Sequence, residues 1–323
     1  MKSLVFVNLS LLSLVGLLIF THQAPIDRGA ERSFVGSTPC DSVSIPLLKI
    51  EANVKCELIK WKLRLFQDAR SLAPSTYQLN YTYGLAQQGT NGVAQGGTTV
   101  TREGRWSIVR GTQTGTTVYR LDAGSSQESL SFLQLDHNVI HLLDRAGNLA
   151  VGHAGWSYTL NRVGQSVPSN SVTPFSLADV KFDSQPTSTL PATAVSAVER
   201  TFVGRSPCSE VAAQLKKPVT MDCMKAKWAL NLYLDPVALT PTTYKLKGTF
   251  YRNQIGEGRW SIVRGTKTDP SAVIYQLDPA DRRGSLLLLK ADDNILFFLD
   301  SERNLMVGNA DFSYTLNRQS ETH

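Results

Sequence analysis

Apolar and polar residues alternate along several short stretches of this chain. From Ile59 to Leu65 every second residue is apolar, and the positively charged Lys60, Lys62 and Arg64 lie between them. A period of two predicts a β-strand with one buried face. Further stretches with strand character in the same part of the chain are 77–83, 105–110, 118–122, 130–135, 139–144, 149–152 and 156–161.

The chain contains two copies of this unit. The run Gly104–Thr112 recurs without change at Gly258–Thr266, and Ser157–Arg162 recurs at Ser313–Arg318. Self-similarity of this kind identifies a tandem repeat. About eight short strands joined by tight turns in each copy favour an antiparallel meander that closes on itself, because closure leaves no exposed strand edges. We therefore expect an all-β protein with two small antiparallel β-barrels, and a two-sheet sandwich is the alternative for each copy.

The repeats define the domain boundaries. The first copy covers 31–162 and the second covers 198–318. The first copy carries an insertion at 84–100, a stretch rich in Gln, Gly and Thr that we expect to be a mobile loop. Residues 163–197 are rich in Ser, Thr and Pro, and this composition predicts a flexible linker. Two domains on such a linker are expected to move independently unless they pack against each other.

The first residues have the pattern of an export signal. Lys2 precedes an apolar stretch over 4–20, and Ala24 is the best small residue for cleavage, so we assign 1–24 to a signal peptide. The alternative is an uncleaved N-terminal anchor, because 4–20 just reaches across a bilayer core of ~30 Å. In either case the rest of the chain is expected outside the cytoplasm, in the periplasm or cell envelope, or secreted.

Composition and charge narrow the class of protein further. With 42% hydrophobic and 19% charged residues, the chain is globular rather than disordered. The net charge of +6 is spread along the sequence, without a block of five or six like charges. A nucleic-acid partner is therefore not expected.

Each copy carries one pair of cysteines at an equivalent place. Cys40 and Cys56 are 16 residues apart, and Cys208 and Cys223 are 15 apart. An even number of cysteines at a repeated spacing in an exported protein predicts disulfides, one within each copy. Closing a loop of this length stabilises a protein by roughly 3 kcal/mol in the chain-entropy model.

A copper site is the alternative use of the second pair. Met221 and Met224 flank Cys223, and thiolate together with thioether ligands suits Cu(I). The candidate ligands are Cys208, Cys223, Met221 and Met224. The first copy has no methionine in this neighbourhood, and an oxidised cysteine pair offers no thiolate. We therefore expect no resident cofactor, with copper as the alternative.

Three histidines, His137, His141 and His153, are not expected to form a metal site. His137 and His141 are four residues apart, which on a strand separates them by about 13 Å. The second copy lacks histidine at the equivalents of both and of His153, so surface positions are predicted for all three. No nucleophile elbow, zinc-binding helix motif or phosphate-binding loop is present in the sequence. The protein is therefore expected not to be an enzyme.

Two further repeated features have structural interpretations. Asp144 and Asp300 each follow a leucine and precede a turn, where a carboxylate typically caps the turn. Trp106 and Trp260 each alternate with an isoleucine two positions later, so we expect both members of that pattern to pack in the core.

Both copies resemble the N-terminal domain of the copper-resistance and envelope-stress lipoprotein NlpE. The resemblance covers both repeats nearly end to end and omits the signal, the linker and the insertion. No single motif is diagnostic, but the series occurs in order and twice. In the second copy it consists of Phe202–Gly204, Pro207–Cys208, Gly258–Trp260, Tyr275–Leu277, Phe298–Asp300, Asn304–Leu305 and Tyr314–Leu316.

The resemblance implies a lipocalin-like β-barrel of the bacterial envelope, linked to copper tolerance and stress sensing. This chain departs from the family's pattern in three ways. The family's Cys-x-x-Cys, whose first cysteine matches Cys208, here reads Cys-Ser-Glu-Val, and the same loss follows Cys40. The lipid-bearing cysteine is absent from the first 30 residues, and a second copy of the barrel replaces the family's second domain.

We therefore expect an exported cell-envelope protein that binds or senses without catalysing a reaction. Its partner would be an envelope protein or a small ligand, with membrane contact only if the leader is retained. Two similar barrels on a linker would give avidity for a large or repeated partner. The alternatives are a carrier of a small apolar ligand inside the barrel and a copper-binding protein.

Overall fold

A computed structural model describes most of the two repeats. The predicted signal segment, nearly all of the predicted linker and Met221 lie outside the described residues. The described ranges are 31–110, 116–122, 129–164, 198–218, 223–251, 256–280 and 284–319.

Each copy folds as a closed antiparallel barrel of eight strands. Every strand pairs with the next one along the chain, and the last returns to pair with the first, which confirms the predicted pair of barrels. In barrel 1 the strands are β1 Glu31–Pro39, β2 Leu58–Gln67, β3 Pro74–Gly84, β4 Thr98–Arg110, β5 Thr117–Asp122, β6 Leu130–Gln134, β7 Val139–Leu142 and β8 Thr159–Val163. In barrel 2 they are β9 Val198–Ser206, β10 Ala226–Leu234, β11 Pro241–Gly248, β12 Gly256–Arg264, β13 Val273–Pro279, β14 Leu286–Lys290, β15 Ile295–Leu299 and β16 Thr315–Arg318.

A repeated glycine allows the barrel to close. A Cβ atom at Gly36 of β1 would lie 2.6 Å from Cδ2 of Leu160 on β8. At Gly204 of β9 it would lie 2.5 Å from the carbonyl oxygen of Thr315 on β16. The Phe-Val-Gly run therefore recurs because the first and last strands approach too closely for any side chain at this position.

Large side chains fill the interior of both barrels. Trp61 packs edge-on against Phe132, with ring centroids 6.1 Å apart, and its indole nitrogen donates a hydrogen bond to Thr38. Barrel 2 repeats the buried tryptophan but exchanges its neighbours. Phe132 and Leu142 are paired across β6 and β7, whereas the equivalent pair on β14 and β15 is Leu288 and Phe298. The exchange conserves core volume, which close-packed interiors tolerate well.

A short helix between the two cysteines closes one end of each barrel. The helices are α1, Ser44–Leu48, and α2, Ser209–Gln214, and both present buried residues to the core. Disulfides join Cys40 to Cys56 and Cys208 to Cys223, as predicted. Two such bonds are typical of proteins from an oxidising compartment.

The two barrels pack against each other through an apolar cluster on their outer faces. The strands β6 and β7 of barrel 1 and β13 to β15 of barrel 2 carry buried residues that point out of their own barrel. The cluster consists of Leu133, Leu135, Val139, Leu143, Leu149, Ala272, Ile274, Leu287, Leu289, Ala291, Ile295, Phe297 and Leu299. We call it the interbarrel cluster. The described parts of the two barrels therefore meet in a hydrophobic interface.

Polar contacts beside the interbarrel cluster join equivalent residues of the two copies. The hydroxyl groups of Ser157 and Ser313 are 2.6 Å apart, and those of Thr159 and Thr315 are 2.9 Å apart. The side-chain oxygen of Asn317 accepts a 2.8 Å hydrogen bond from the amide of Gly152, and Asn161 accepts the matching bond from Gly308. Self-matching contacts of this kind are those of a two-fold symmetric dimer, here within one chain.

The insertion in the first copy is hydrogen-bonded to barrel 2. Ala86 and Val93 form an antiparallel bridge within it. Its Asn91 side chain donates a 3.2 Å hydrogen bond to Asp311 of barrel 2. Lys60 joins both groups, with its Nζ 2.8 Å from the Asn91 carbonyl and 2.6 Å from an Asp311 carboxylate oxygen. The insertion therefore takes part in the contact between the barrels.

Two strand predictions need correction. Residues 149–152 form a single bridge, between Leu143 and Leu149, and no strand. The last strand of barrel 1 begins at Thr159 rather than at 156. The reason is that the chain from Gly152 to Ser157 leaves the barrel wall to contact barrel 2. Among the described residues, no helix has the length and apolar character needed to cross a bilayer.

Candidate functional site

The candidate copper ligands do not form a set of soft donors in the described structure. Cys208 and Cys223 are joined to each other, so neither sulfur is a thiolate. Met224 is 54% exposed at the surface. Within the described ranges, no group of three or more histidine, cysteine or acidic side chains has the arrangement of a metal site. Cys208 and Cys223 therefore form a structural cross-link here.

His141 is buried rather than at the surface, which corrects the prediction for this residue. It lies on β7 in the interface, edge-on to Phe297 with ring centroids 5.6 Å apart. Its Nδ1 is 2.9 Å from the hydroxyl oxygen of Thr159, and its Nε2 is 2.9 Å from the carbonyl oxygen of Ala150. Burial lowers the pKa of His141 to about 4. The neutral imidazole is thus part of the contact between the barrels.

The turn carboxylates and the repeated tryptophans behave as predicted. Asp144 accepts hydrogen bonds from two backbone amides of its own turn, and Asp300 does the same. Trp106 and Trp260 are both buried. Their isoleucine neighbours are not in the core, because Ile108 is 41% exposed and Ile262 is 48% exposed. Both isoleucines lie where the strand passes the end of the packed interior.

A pocket of about 850 Å³ lies on barrel 2, beside α2. Its floor includes Leu287 and Met306, and its walls are formed by α2 and by the turn between β15 and β16. Glu210 and Gln214 of α2 and Ser301 of that turn are among the residues that line the pocket. The pocket thus combines an apolar floor with polar walls, which is the usual composition of a ligand site.

The equivalent region of barrel 1 is occupied by an arginine. Arg145 stands where barrel 2 has Ser301, and its guanidinium donates a 3.1 Å hydrogen bond to the carbonyl of Pro46 in α1. Ala150 replaces Met306 on the floor. One long side chain therefore spans in barrel 1 the gap that remains open in barrel 2.

One polar atom in the pocket wall of barrel 2 has no partner within the described structure. The Gln214 amide nitrogen donates to the Ser285 carbonyl at 3.3 Å, while its side-chain oxygen is buried without a hydrogen bond. A buried acceptor without a partner is costly. Nearby, burial and then the Glu210 carboxylate raise the pKa of Tyr314.

The pocket was not anticipated from the sequence. The signal that was available is the difference between the copies, Arg145 against Ser301, at one position of an otherwise similar turn. That difference becomes informative only once the helix between the cysteines is known to pack over this turn.

The fold defines the class of protein. It contains two eight-stranded up-and-down β-barrels in one chain, which pack against each other in a pseudo-two-fold interface. Comparison with protein-family models, with curated proteins and with solved structures gives no match for the chain. The similarity to NlpE stays a prediction from the residues given above.

Proposed function

We propose that this protein is an exported binding or sensing protein of the bacterial cell envelope, without catalytic activity of its own. Its recognition site is the pocket beside α2 of barrel 2. The observation that carries this proposal is the open pocket of about 850 Å³ in one copy, at the place where Arg145 is hydrogen-bonded to the helix in the other. The ligand group that fits is one that donates a hydrogen bond to Gln214 and covers Met306.

The filled interiors favour an outer site over a ligand carried inside a barrel. Trp61, Tyr119 and Phe132 are 3% exposed or less in barrel 1, and Trp228 and Phe298 occupy the same space in barrel 2. A carrier would need that volume for its ligand.

The absence of catalysis is supported by how the reactive groups are used. The contact between His141 and Thr159 resembles a base beside a nucleophile, but both groups are fully enclosed between the barrels. A substrate cannot reach them there, and the histidine's second nitrogen is already bonded to Ala150.

Location in the envelope rests on two supports. The apolar segment after Lys2 is the expected export signal, and the two disulfides are typical of an oxidising compartment.

A screen of small soluble compounds by ligand-observed NMR on the full chain tests the pocket. We expect compounds with N–H or O–H donors to bind the wild type. Ser301→Arg, which copies barrel 1, should weaken their binding about tenfold or more by filling the opening. Ser301→Ala is the matched control and should leave binding unchanged. Equal binding to wild type and Ser301→Arg would place recognition elsewhere.

A further inference from the structure

The end of barrel 1 opposite α1 carries two arginines that point inward. Phe34 and Leu160 are core residues, and side chains two positions apart on a strand share a face. Arg32 and Arg162 therefore lie on the inner face, one step closer to the barrel end. With Ile108 and Tyr119 they form what we call mouth 1. Its equivalent in barrel 2, mouth 2, consists of Arg200, Ile262, Tyr275 and Arg318.

The two arginines of mouth 1 lie on strands that pair with each other, β1 and β8. Arg32 reaches across the barrel from β1 to β5, where its Nη1 donates a 2.9 Å hydrogen bond to the Tyr119 hydroxyl. Arg162 lies on the neighbouring strand β8, opposite Phe34. Burial and the nearby Arg32 lower the pKa of Arg162. Two positive charges are therefore brought together in a half-buried position.

No carboxylate forms an ion pair with either arginine among the described residues. Burial raises the pKa of Tyr119, and the charge of Asp136 adds to that rise. Oδ1 of Asp136 accepts hydrogen bonds from the backbone amides of Asn138 and Val139, so it serves its own turn. The positive charge of mouth 1 is not neutralised from within the described structure.

Mouth 2 has the same arginines, an additional carboxylate on Asp293 and an additional lysine, Lys290, where barrel 1 has Gln134. Asp293 lies 3.9 Å from Arg200 and 2.8 Å from Lys290. The pKa of Asp293 is lowered by its hydrogen bond to Lys290 and, further, by Arg200 and Arg318. In barrel 1 the residue equivalent to Asp293 is His137. A built-in anion thus stands beside the arginines of one mouth and is missing from the other.

We propose that mouth 1 binds the carboxylate of a small amphipathic acid between Arg32 and Arg162. Guanidinium groups match a carboxylate through paired, charge-assisted hydrogen bonds. The apolar part of the acid lies on Ile108, which is exposed at the mouth. In mouth 2 the carboxylate of Asp293, held by Lys290, already stands beside Arg200, so an external anion is expected in mouth 1 only. This site is separate from the pocket beside α2.

Isothermal titration of the full chain with octanoate tests the proposal, with octanol as the neutral probe. We expect one equivalent of octanoate to bind and octanol to bind at least tenfold more weakly, which corresponds to about 1.4 kcal/mol. Arg162→Gln should weaken octanoate binding about tenfold or more, and Arg318→Gln, the matched change in mouth 2, should not. No octanoate binding, or equal effects of the two variants, would overturn the proposal.

Exchange of the acidic residue between the mouths gives the reciprocal test. His137→Asp should abolish octanoate binding by placing an internal carboxylate in mouth 1. Asp293→Asn should add a second equivalent by freeing mouth 2. Circular dichroism and thermal unfolding confirm that each variant is folded. Binding that survives His137→Asp, or a stoichiometry that stays at one in Asp293→Asn, would contradict the role assigned to the built-in anion.

Discussion

The two barrels are alike in their interiors and differ at their openings. Trp61 and Trp228 are both buried, and each indole donates to a hydroxyl of the first strand, on Thr38 or Ser206. The openings differ by single residues, such as Arg145 against Ser301 beside the helix. Residues that are the same in both copies therefore specify the barrel fold. Residues that differ between the copies specify what each barrel can bind.

The largest expected effect comes from breaking the interbarrel cluster. Ile295→Asp places an unpaired charge at a fully buried position between the barrels and should lower the free energy of unfolding by about 3–5 kcal/mol. Val237→Asp is the matched control on the same barrel, at a position that is 83% exposed, and should change it by about 0.5 kcal/mol or less. Urea unfolding measures both. Equal losses would mean that the cluster is not an interface.

Removal of either disulfide should have the next largest effect. The loops closed by Cys40–Cys56 and Cys208–Cys223 are of nearly equal length, so replacing either pair by alanine should cost about 3 kcal/mol. Urea unfolding of the two double variants under oxidising conditions makes the comparison. A variant that keeps wild-type stability would show that its helix is held over the barrel by packing alone.

His141 should make stability depend on pH in a way that its counterpart Phe297 does not. In the folded protein the pKa of His141 is about 4, below the ordinary histidine value of 6.5, so the unfolded chain takes up the proton first as the pH falls. The neutral imidazole therefore makes its full contribution to the free energy of unfolding above pH 6.5. That free energy falls by about 3 kcal/mol as the pH drops to 4. Unfolding of wild type and His141→Phe from pH 7 to 4 should show a shallower fall in the variant. Parallel curves would argue against a buried neutral imidazole.

The smallest expected effect concerns the ion pair between Lys60 and Asp311. Both side chains are about one-third exposed, so Lys60→Met should cost about 1 kcal/mol or less, and less still at high salt. The residue equivalent to Lys60 in barrel 2 is Lys227. The residue equivalent to Asp311 in barrel 1 is Gly155, which has no carboxylate to pair with Lys227. Lys227→Met is therefore the control in the same urea series, and a loss as large as that of Lys60→Met would refute a specific pair.

The barrel fold and the disulfides follow from local patterns in the sequence. Alternation over Ile59–Leu65 marks a strand with one buried face, and the repeated spacing of Cys40 and Cys56 marks a cross-link. The interface is less visible because it depends on how two copies meet. A signal for it exists in Ile295–Leu299, which is apolar on both faces and typical of a strand without a solvent side.

The candidate sites could not be predicted because they join residues far apart in the chain. Arg32 and Tyr119 are 87 positions apart and meet only when β1 and β5 form opposite walls. Ser301 gains meaning only from the helix packed above it. The surface position predicted for His141 failed for a related reason, because β7 faces the other barrel instead of water.

Joining the halves in a single polypeptide has a consequence for how they change. In a dimer of identical chains, every replacement occurs on both sides of the axis, so the two halves keep the same openings. Here the serine and threonine contacts between Ser157–Thr159 and Ser313–Thr315 retain that symmetry. His137 and Asp293 are encoded separately, and each half is free to acquire its own specificity while the shared seam stays intact.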